Sequence, residues 1–538
     1  MVIKLANKPL SINATGTHPT EGGTIASASL LTINLPAVPV AYLYSGWQSW
    51  TLTAWVGLDR PVRPMRPSSM HPMQTDPVYA GETRPHGAWY GAVEFADGQM
   101  VFLGSLGLES HVMLDGKRLS GWYETGNGEW FIATGEETEF MARYAELLGG
   151  RLGKGRANDP YKVWCSWYSL YTEIHETQLL KILADLGPID SPQSLPFDVF
   201  QIDDGWQIGI GDWEPNAKFP SGMEELAARV KETGRKAGLW LAPLLVVPSS
   251  SIYREHRDWL LQDENKKLVS AGFNWGEQLY ALDTTHPAAL DWLRALMKKV
   301  RGWGYDYTKL DFLYAGALPG KRHGDMARES AYRTGLKIIR EALGEAYFLT
   351  CGAPILPSIG LCDGMRIGPD VADRFTSHRD DDLLMNFAAP GVRNALRTTL
   401  HRLWLHPLVH TDPDVVYFHS RQNRLSAEQK SLLQDLAQIC NFKASSDIPA
   451  WMTNAERSAL HDYMESSPEV RQIGRTAYRI GNRKVDFSPQ IGLPRLPGPF
   501  TNLHGSVLGG LANLPVLMNA FDKLGKKSLK KMLKHNPV

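Results

Sequence analysis

Two aspartates in the middle of the chain each lie close in sequence to a cationic side chain. Asp311 comes two residues after Lys309, and Asp370 comes four residues after Arg366. Residues two apart on a β-strand share one face, so Lys309 is placed to keep the pKa of Asp311 low. A second carboxylate nearby would raise the pKa of an acid such as Asp370. One ionised and one protonated carboxyl group together suit nucleophilic attack assisted by a general acid.

Such a pair can cleave a glycosidic bond with retention of configuration when the two carboxyl groups lie about 5–5.5 Å apart. Asp203 and Asp204 add two adjacent carboxylates. Ionised carboxylates accept strong hydrogen bonds, so these two aspartates are good partners for sugar hydroxyl groups. The residue types therefore favour chemistry on a sugar.

Each of these residues also has a simpler explanation when it is taken alone. Asp203 and Asp204, which a glycine follows, could cap a helix or form a turn. Lys309 and Asp311 could be a structural ion pair, and Asp370, which follows a proline, could be a turn residue. It is their convergence from separate segments that favours a catalytic site.

Short apolar runs alternate with amphipathic stretches through the centre of the chain, which predicts a parallel sheet covered by helices. The predicted strands lie at 163–168, 197–202, 237–243, 307–312, 347–351 and 364–368, and helical patterns lie at 172–186, 222–236, 288–302 and 325–342. This alternation is typical of a (β/α)8 barrel, in which the carboxyl ends of the strands meet at the active site. An open doubly wound sheet is the main alternative, but no Gly-x-Gly-x-x-Gly turn follows the first run.

The two ends of the chain have different patterns from the centre. Residues 1–155 are rich in Gly, Thr, Ser and Pro with short alternating runs, which predicts an antiparallel β-sandwich. The barrel is predicted to span 156–455, and 456–538 form a C-terminal region, predicted to be β with a basic tail. The lysines of this tail are Lys523, Lys526, Lys527, Lys530, Lys531 and Lys534.

The bulk composition excludes several classes of partner. Lys+Arg and Asp+Glu are both 57, so the chain has no net positive charge with which to bind nucleic acid. The N-terminus lacks the apolar core of a signal peptide, and no long apolar stretch predicts a membrane span. We therefore expect a soluble, cytoplasmic protein without a membrane partner.

The remaining candidates for chemistry receive structural interpretations. The segment His-Thr-Asp-Pro-Asp at 410–414 has potential metal ligands, but no second cluster completes a site, so a loop is predicted. No metal or organic cofactor is expected, because two carboxyl groups suffice. The four cysteines lie in or beside apolar runs and are predicted to be reduced; they are Cys165, Cys351, Cys362 and Cys440.

Five motifs in a fixed order resemble glycoside hydrolase family 36, the bacterial α-galactosidase family, whose clan also contains the lysosomal-type α-galactosidases. They are FQIDDGW at 200–206, GLWLAP at 238–243, KLDF at 309–312, CG at 351–352 and RIGPD at 366–370. The resemblance covers roughly residues 40–420. It implies an N-terminal β-sandwich, a (β/α)8 barrel and a small C-terminal β domain.

The resemblance also implies roles for the two catalytic candidates. Asp311 would attack to form a galactosyl-enzyme, and Asp370 would be the acid/base. Asp373 is the competing candidate for the acid/base, but Asp370 has the family's spacing from Arg366.

Further residues would bind the sugar by the same resemblance. Asp203 and Asp204 would hold the 4- and 6-hydroxyl groups, while Lys309 and Arg366 would contact hydroxyl groups beside the nucleophile and near the 2-position. Trp240 and Cys351 would line the pocket, although alone each would be taken for a core residue. Trp50, in the motif GWQSW at 46–50, would enter the site from the N-terminal domain, and either Tyr168 or Tyr171 would line it.

The function implied is that of a retaining, exo-acting α-galactosidase, which releases terminal α-linked galactose from oligosaccharides such as melibiose and raffinose. An α-N-acetylgalactosaminidase or a galactosyl transferase of the same clan is the alternative. A non-catalytic sugar-binding barrel would lack one of the two carboxylates. Relatives are commonly oligomeric, so a homo-oligomer is also an expectation. The chain departs from the family after about residue 480, and its helix-like end from Leu514 is not part of the usual C-terminal domain.

Overall fold

The computed structural model describes residues 4–493, apart from 6–7, 60–61, 63–70, 156–158, 192 and 377–384. The lysine-rich tail and the helix-like end from Leu514 lie outside these residues.

The N-terminal part is antiparallel β-structure, as predicted. Its strands are β1 Lys4–Leu5, β2 Lys8–Pro9, β3 Ser11–Thr20, β4 Gly23–Asn34, β5 Ala41–Tyr44, β6 Ala54–Gly57, β7 His86–Ala88, β8 Tyr90–Glu94, β9 Met100–Ser105, β10 Ser110–Asp115, β11 Arg118–Tyr123 and β12 Gly128–Thr134. The large sheet runs β6-β5-β8-β9-β12-β4-β11-β10-β7, with β3 beside β4. Alternation along β12 sends Trp130 and Ile132 into the core of this part and Phe131 towards the rest of the molecule.

Helices α1 His71–Gln74 and α2 Glu137–Leu152 belong to the same part of the chain. The buried residues of α2 recur at helical spacing; they are Phe140, Met141, Tyr144, Ala145, Leu148 and Gly149. This face packs the helix against the β-structure that precedes it.

The central part is a parallel barrel with short hairpins inserted after two of its strands. In chain order the strands are β13 Val163–Cys165, β14 Val199–Ile202, β15 Gln207–Gly209, β16 Asp212–Pro215, β17 Lys236–Leu241, β18 Leu245–Val246, β19 Ser270–Asn274, β20 Glu277–Ala281, β21 Tyr307–Leu310, β22 Tyr347–Thr350, β23 Gly364–Arg366, β24 His410–Asp412, β25 Val415–Val416 and β26 Ala444–Ser445. The barrel order is β24-β23-β22-β21-β17-β14-β13-β26-β25. Strands β24 and β25 are two halves of one strand, so the sheet closes on itself as eight strands.

Helices alternate with these strands, which confirms the predicted barrel architecture. They are α3 Trp167–Leu170, α4 Glu176–Leu186, α5 Gly222–Glu232, α6 Ser251–Glu255, α7 Pro287–Gly302, α8 Arg328–Leu343, α9 Ile355–Ser358, α10 Val392–Leu400 and α11 Ala427–Ile439. Helix α4 begins four residues later than the pattern at Thr172 predicts. The ring of His175 accepts a hydrogen bond from the Gln178 N–H and so caps the helix there.

The prediction of a loop at 410–414 is wrong. His410–Asp412 is strand β24, and it pairs with β23. This strand is short and polar, so it has no apolar run by which it could be recognised. Strand β26, which is only two residues long, was not predicted either.

The chain continues from the barrel into helix α12 Asn454–Glu465 and a small antiparallel sheet. The strands of this sheet are β27 Val470–Gly474, β28 Ala477–Ile480 and β29 Arg483–Asp486. They confirm the small C-terminal β-structure. No helix in the described part of the chain has the length and apolarity needed to cross a membrane.

Candidate active site

The candidate residues lie at the carboxyl ends of neighbouring barrel strands. Asp203 and Asp204 follow β14, Trp240 is in β17, Lys309 is in β21 with Asp311 just after it, Cys351 follows β22, and Arg366 ends β23 with Asp370 shortly after it. Parallel strands bring these ends to one face of the barrel, which is where barrel enzymes have their active sites.

Asp311 is a buried carboxylate whose two oxygens are each held by an N–H donor. Trp240 Nε1 donates to Oδ2 at 3.1 Å, and the backbone N–H of Phe312 donates to Oδ1 at 2.8 Å. Phe312 has a φ of 54°, so the chain turns sharply directly after Asp311. The carboxylate is therefore fixed at the strand end by a rigid ring and by its own backbone.

Lys309 lies beside Asp203, and this changes the role that the sequence suggested for it. Its Nζ is 3.0 Å from Asp203 Oδ2, and both side chains are buried. Burial lowers the pKa of Lys309, but the charge of Asp203, aided by that of Asp311, outweighs it and keeps the pKa well above the ordinary value. The hydrogen-bond partner of the lysine is thus Asp203, and Asp311 interacts with it as a second, weaker charge.

Asp204 is held on both sides by neutral donors. Gln207 Nε2 donates to its Oδ1 at 2.5 Å, and Trp275 Nε1 donates to its Oδ2 at 2.7 Å. Burial raises the pKa of Asp204 to about 6, and repulsion from Asp203 and Asp311 adds to the effect. Asp203 and Asp204 thus present two adjacent carboxyl groups, which suit sugar hydroxyl groups as hydrogen-bond partners.

Asp370 is half-buried and contacts Arg366, whose Nη1 is 3.1 Å from Asp370 Oδ1. Burial raises the pKa of Asp370, and repulsion from Asp311 adds to the rise, although Arg366 opposes it. A carboxyl group that keeps its proton more readily than usual is what a general acid needs.

Asp373, the competing candidate for the acid/base, is engaged elsewhere. Arg424 Nε lies 2.9 Å from one of its carboxylate oxygens, and Arg374 Nη1 lies 3.5 Å from the other. The geometry therefore favours Asp370.

Two buried aspartates on the seventh barrel strand belong to the site, and the sequence analysis missed both. Asp412 Oδ2 is 3.1 Å from Arg366 Nε, and Asp414 Oδ1 is 2.8 Å from Arg366 Nη2. Tyr168 donates a hydrogen bond to Asp414, whereas Tyr171 is exposed, so Tyr168 is the tyrosine that joins this cluster. The two aspartates stand at 412 and 414, but the strand that carries them was not recognised because it has no apolar run.

Trp50 reaches the barrel from the N-terminal β-structure. Its ring packs edge-on against Phe312 at a centroid distance of 5.1 Å, next to Asp311. A side chain on Gly352 would place its Cβ only 2.8 Å from the Trp50 ring, so a glycine is required there, and its φ of 52° also favours glycine. Among the described residues, the buried Trp50 Nε1–H has no hydrogen-bond partner.

Arg402 holds the loop that carries Trp50. Its guanidinium donates to the backbone oxygens of residues 46, 48, 49 and 51, to Thr53 Oγ1 and to the carbonyl of Ile367, at distances of 2.6 to 3.0 Å. Burial lowers the pKa of Arg402 to about 10. One side chain therefore ties the Trp50 loop to the segment between Arg366 and Asp370.

All four cysteines are free thiols, as predicted, and all four are buried. Cys351 lies beside the site, where burial and the charge of Asp311 raise its thiol pKa well above the ordinary value. A neutral thiol is a small pocket-lining group and not a nucleophile.

A closed parallel barrel with paired carboxyl groups at its strand ends, beside further carboxylates and tryptophans, defines a glycoside hydrolase. The profile of the melibiase family matches residues 131–346. The α-galactosidase TtGalA of Thermus thermophilus, solved with p-nitrophenyl α-D-galactopyranoside, is 42% identical with a TM-score of 0.86, and the match covers 91% of this chain and 99% of that one. The same enzyme in complex with stachyose matches at 43% identity and a TM-score of 0.81, over 86% of this chain and 99% of that chain.

More distant relatives match over less of their length. The α-galactosidase AgaA of Geobacillus stearothermophilus is 29% identical over 37% of this chain but only 27% of its own. Its crystal structure, at 17% identity and a TM-score of 0.55, covers 85% of this chain and 67% of that one, and shows the shared fold. The chain belongs to the melibiase family of α-galactosidases, which confirms the resemblance seen in its motifs.

Proposed function

We propose that this protein is a retaining, exo-acting α-galactosidase in which Asp311 is the nucleophile and Asp370 the acid/base. The observation that carries the proposal is the contrast between the two carboxyl groups. Asp311 is buried and fixed by two N–H donors, whereas Asp370 is half-buried with a raised pKa. The first arrangement suits an oriented nucleophile and the second suits a proton donor.

The reaction proceeds by double displacement. A carboxylate oxygen of Asp311 bonds to the anomeric carbon while the glycosidic C–O bond breaks, and the proton of Asp370 passes to the departing oxygen. In the second step Asp370, now ionised, accepts a proton from water. The water oxygen bonds to the anomeric carbon, the bond to Asp311 breaks, and galactose leaves in its original α configuration.

The sugar is held by the side chains around these two groups. We propose that Asp203 and Asp204 accept hydrogen bonds from the 4- and 6-hydroxyl groups, and that Lys309 and Arg366 contact hydroxyl groups nearer the anomeric carbon. Trp240 and Cys351 line the pocket, and the unpartnered Nε1–H of Trp50 provides a further donor for a hydroxyl group. The galactoside and stachyose complexes of TtGalA support oligosaccharides with terminal α-galactose, such as melibiose and raffinose, as substrates.

The test is hydrolysis of p-nitrophenyl α-galactoside, followed by proton NMR. We expect turnover and α-galactose as the first anomer to appear, with β-galactose growing only later by mutarotation. The β-anomer appearing first would contradict a double displacement. If the matched α-N-acetylgalactosaminide were the better substrate, the choice of sugar would be wrong.

Replacing Arg402 with lysine is expected to raise KM by up to roughly tenfold and to change kcat less, because losing the hydrogen bond proposed for Trp50 removes about 0.5–1.5 kcal/mol, and about 1.4 kcal/mol corresponds to a factor of ten in binding. Lysine has three N–H donors in place of five and cannot hold the Trp50 loop. The measurement is steady-state kinetics with p-nitrophenyl α-galactoside.

Arg235→Lys is the matched control for this variant. Arg235 is also a buried arginine that donates to backbone carbonyls, but it precedes β17 at the opposite end of the barrel. Both variants should lose stability in urea, and only Arg402→Lys should raise KM. An equal rise in both would show that KM responds to general destabilisation.

Three further expectations remain predictions. A homo-oligomer would be detected by light scattering of the purified protein, and a cytoplasmic location by cell fractionation. The domain limits 1–155, 156–455 and 456–538 can be tested by limited proteolysis.

A further inference from the structure

The seventh barrel strand contains a backbone distortion at Asp414. Strand β24 ends at Asp412 and β25 begins at Val415, and Asp414 between them has a φ of 88°. A residue other than glycine rarely adopts this conformation, which costs on the order of 1–3 kcal/mol and is kept where the surrounding structure requires it. The contacts of the Asp414 side chain show the effect of this distortion.

The distortion places the Asp414 side chain in a buried position where it makes one ion-pair contact and accepts two hydrogen bonds. Oδ1 lies 2.8 Å from Arg366 Nη2. Oδ2 accepts hydrogen bonds from the Val371 N–H at 2.9 Å and from the Tyr168 hydroxyl group. The backbone N–H of Asp414 itself donates to Asp412 Oδ1 at 2.7 Å, which holds the distorted turn.

Two of these contacts lead directly to Asp370. Arg366 contacts Asp414 through Nη2. Nη1 of the same guanidinium lies 3.1 Å from Asp370 Oδ1. Val371 is the residue that follows Asp370 in the chain, so its N–H fixes the backbone on which Asp370 stands. A single carboxylate thus constrains both the side chain and the backbone of the same residue.

We propose that Asp414 is a positioning residue for the acid/base, which fixes Asp370 through Arg366 and through the Val371 N–H. This rests on the proposed function, in which Asp370 is the proton donor. Asp412 also contacts Arg366, but its partner atom is Nε, and it has no contact with Val371 among those described. Tyr168 supports Asp414 by donating to Oδ2, the oxygen that also accepts from the Val371 N–H.

The charges around Asp414 determine how its loss changes the pH profile. Titratable or charged groups on several segments face Asp414. They are Cys165 in β13, Tyr168 in α3, Arg366 at the end of β23, Asp370 in the loop that follows, Asp412 at the end of β24 and Tyr417 just after β25. Burial raises the pKa of Asp414 against the attraction of Arg366. In its ionised form, Asp414 shares the positive charge of Arg366 with Asp370. Without it, Arg366 would favour the ionised form of Asp370, and the alkaline limb of kcat/KM would move to lower pH.

The experiment compares Asp414→Asn with the wild type on two α-galactosides, one with a 2,4-dinitrophenyl leaving group and one with a phenyl leaving group. A poor leaving group needs the proton from Asp370 and a good one hardly does. We expect kcat/KM to fall by roughly tenfold to a hundredfold on the phenyl substrate and much less on the dinitrophenyl substrate, since misplacing a general acid removes part of its catalytic effect. A fall by the same factor on both substrates, or no fall, would overturn the proposal.

The control is Asp363→Asn at the other end of β23. Asp363 is also a buried carboxylate paired with an arginine, with Arg340 Nη1 at 2.8 Å, but it lies at the amino end of its strand. Asp363→Asn should lower stability without changing the ratio of kcat/KM on the two substrates. If Asp414→Asn does not fold, Tyr168→Phe replaces it, since that variant removes one donor to Asp414 and keeps both charges. A ratio unchanged from wild type in Tyr168→Phe would then overturn the proposal.

The wild-type measurement separates this proposal from the proposed function. If the wild type hydrolyses neither galactoside, the proposed function is wrong, and the role of Asp414 is wrong with it. If the wild type hydrolyses both galactosides and the ratio of kcat/KM on the two substrates does not change in the variants, only the role of Asp414 is wrong.

Discussion

Replacing Asp311 with glycine is expected to lower kcat on p-nitrophenyl α-galactoside on the order of 10⁴-fold or more, the scale on which loss of a nucleophile acts. The galactosyl-enzyme cannot form without this carboxylate. The space left between Trp240 and Phe312 can admit a small anion on the β face of the sugar. Added azide should therefore restore turnover, and the product should be β-galactosyl azide, identified by proton NMR.

The wild type with azide is the control for this experiment. Its nucleophile blocks the β face, so it should form no β-galactosyl azide. If azide left the glycine variant inactive although its circular dichroism spectrum matched that of the wild type, Asp311 would not be the nucleophile.

Replacing Asp370 with alanine is expected to reduce kcat/KM by about 10²–10⁴-fold on substrates with poor leaving groups, which is the usual contribution of general acid catalysis. The loss should be much smaller on a dinitrophenyl galactoside. The galactosyl-enzyme should accumulate, because Asp370 is also the base that activates water. Azide needs no base, so it should accelerate turnover and give α-galactosyl azide.

Asp373→Ala is the matched variant for Asp370→Ala. Asp373 lies three residues further along the chain, in a partly exposed ion pair with Arg424. Such pairs contribute about 0–1 kcal/mol, so the variant should stay close to the wild type in stability and activity. If Asp373→Ala formed α-galactosyl azide and Asp370→Ala did not, the two assignments would have to be exchanged.

The pH dependence of activity should follow from the protonation of Asp370. The pKa of Asp370 is raised by burial and by Asp311, and the protonated form is the active one in the first step. Activity should therefore persist further towards neutral pH than an ordinary aspartate would allow, and it should fall as the pH rises through the raised pKa. The pH profile of kcat/KM measures this limb.

The sequence was sufficient for those parts of the fold in which burial leaves a regular pattern. Strands such as Val163–Cys165 and Tyr347–Thr350 are buried on both faces, and apart from Thr350 they consist of apolar residues. The seventh strand could not be recognised, because buried aspartates replace the apolar residues that would have identified it. The eighth has only two residues, Ala444 and Ser445, in regular strand pairing.

The residues of the site likewise divide into those that the sequence could place and those that it could not. Residues adjacent in sequence to a strand end, such as Asp311, could be placed from the sequence because strand ends meet at one face of a barrel. Contacts between side chains on distant segments could not be predicted from the sequence. The pairing of Lys309 with Asp203, the choice of Tyr168 over Tyr171 and the contact of Asp414 with Arg366 all depend on side-chain packing across the barrel.

The Arg402 contacts have a consequence for the independence of the two parts of the molecule. The Trp50 loop lies on the barrel, where Ser49 exchanges hydrogen bonds with Ala353 and Arg402 supplies the loop with donors. A barrel separated from the N-terminal β-structure would expose this arginine and lose one wall of the sugar pocket. Under the proposed function, the N-terminal part is thus a piece of the catalytic apparatus and not an accessory module. Chimaeras that exchange it between relatives should be active only when the loop and its arginine come from the same parent.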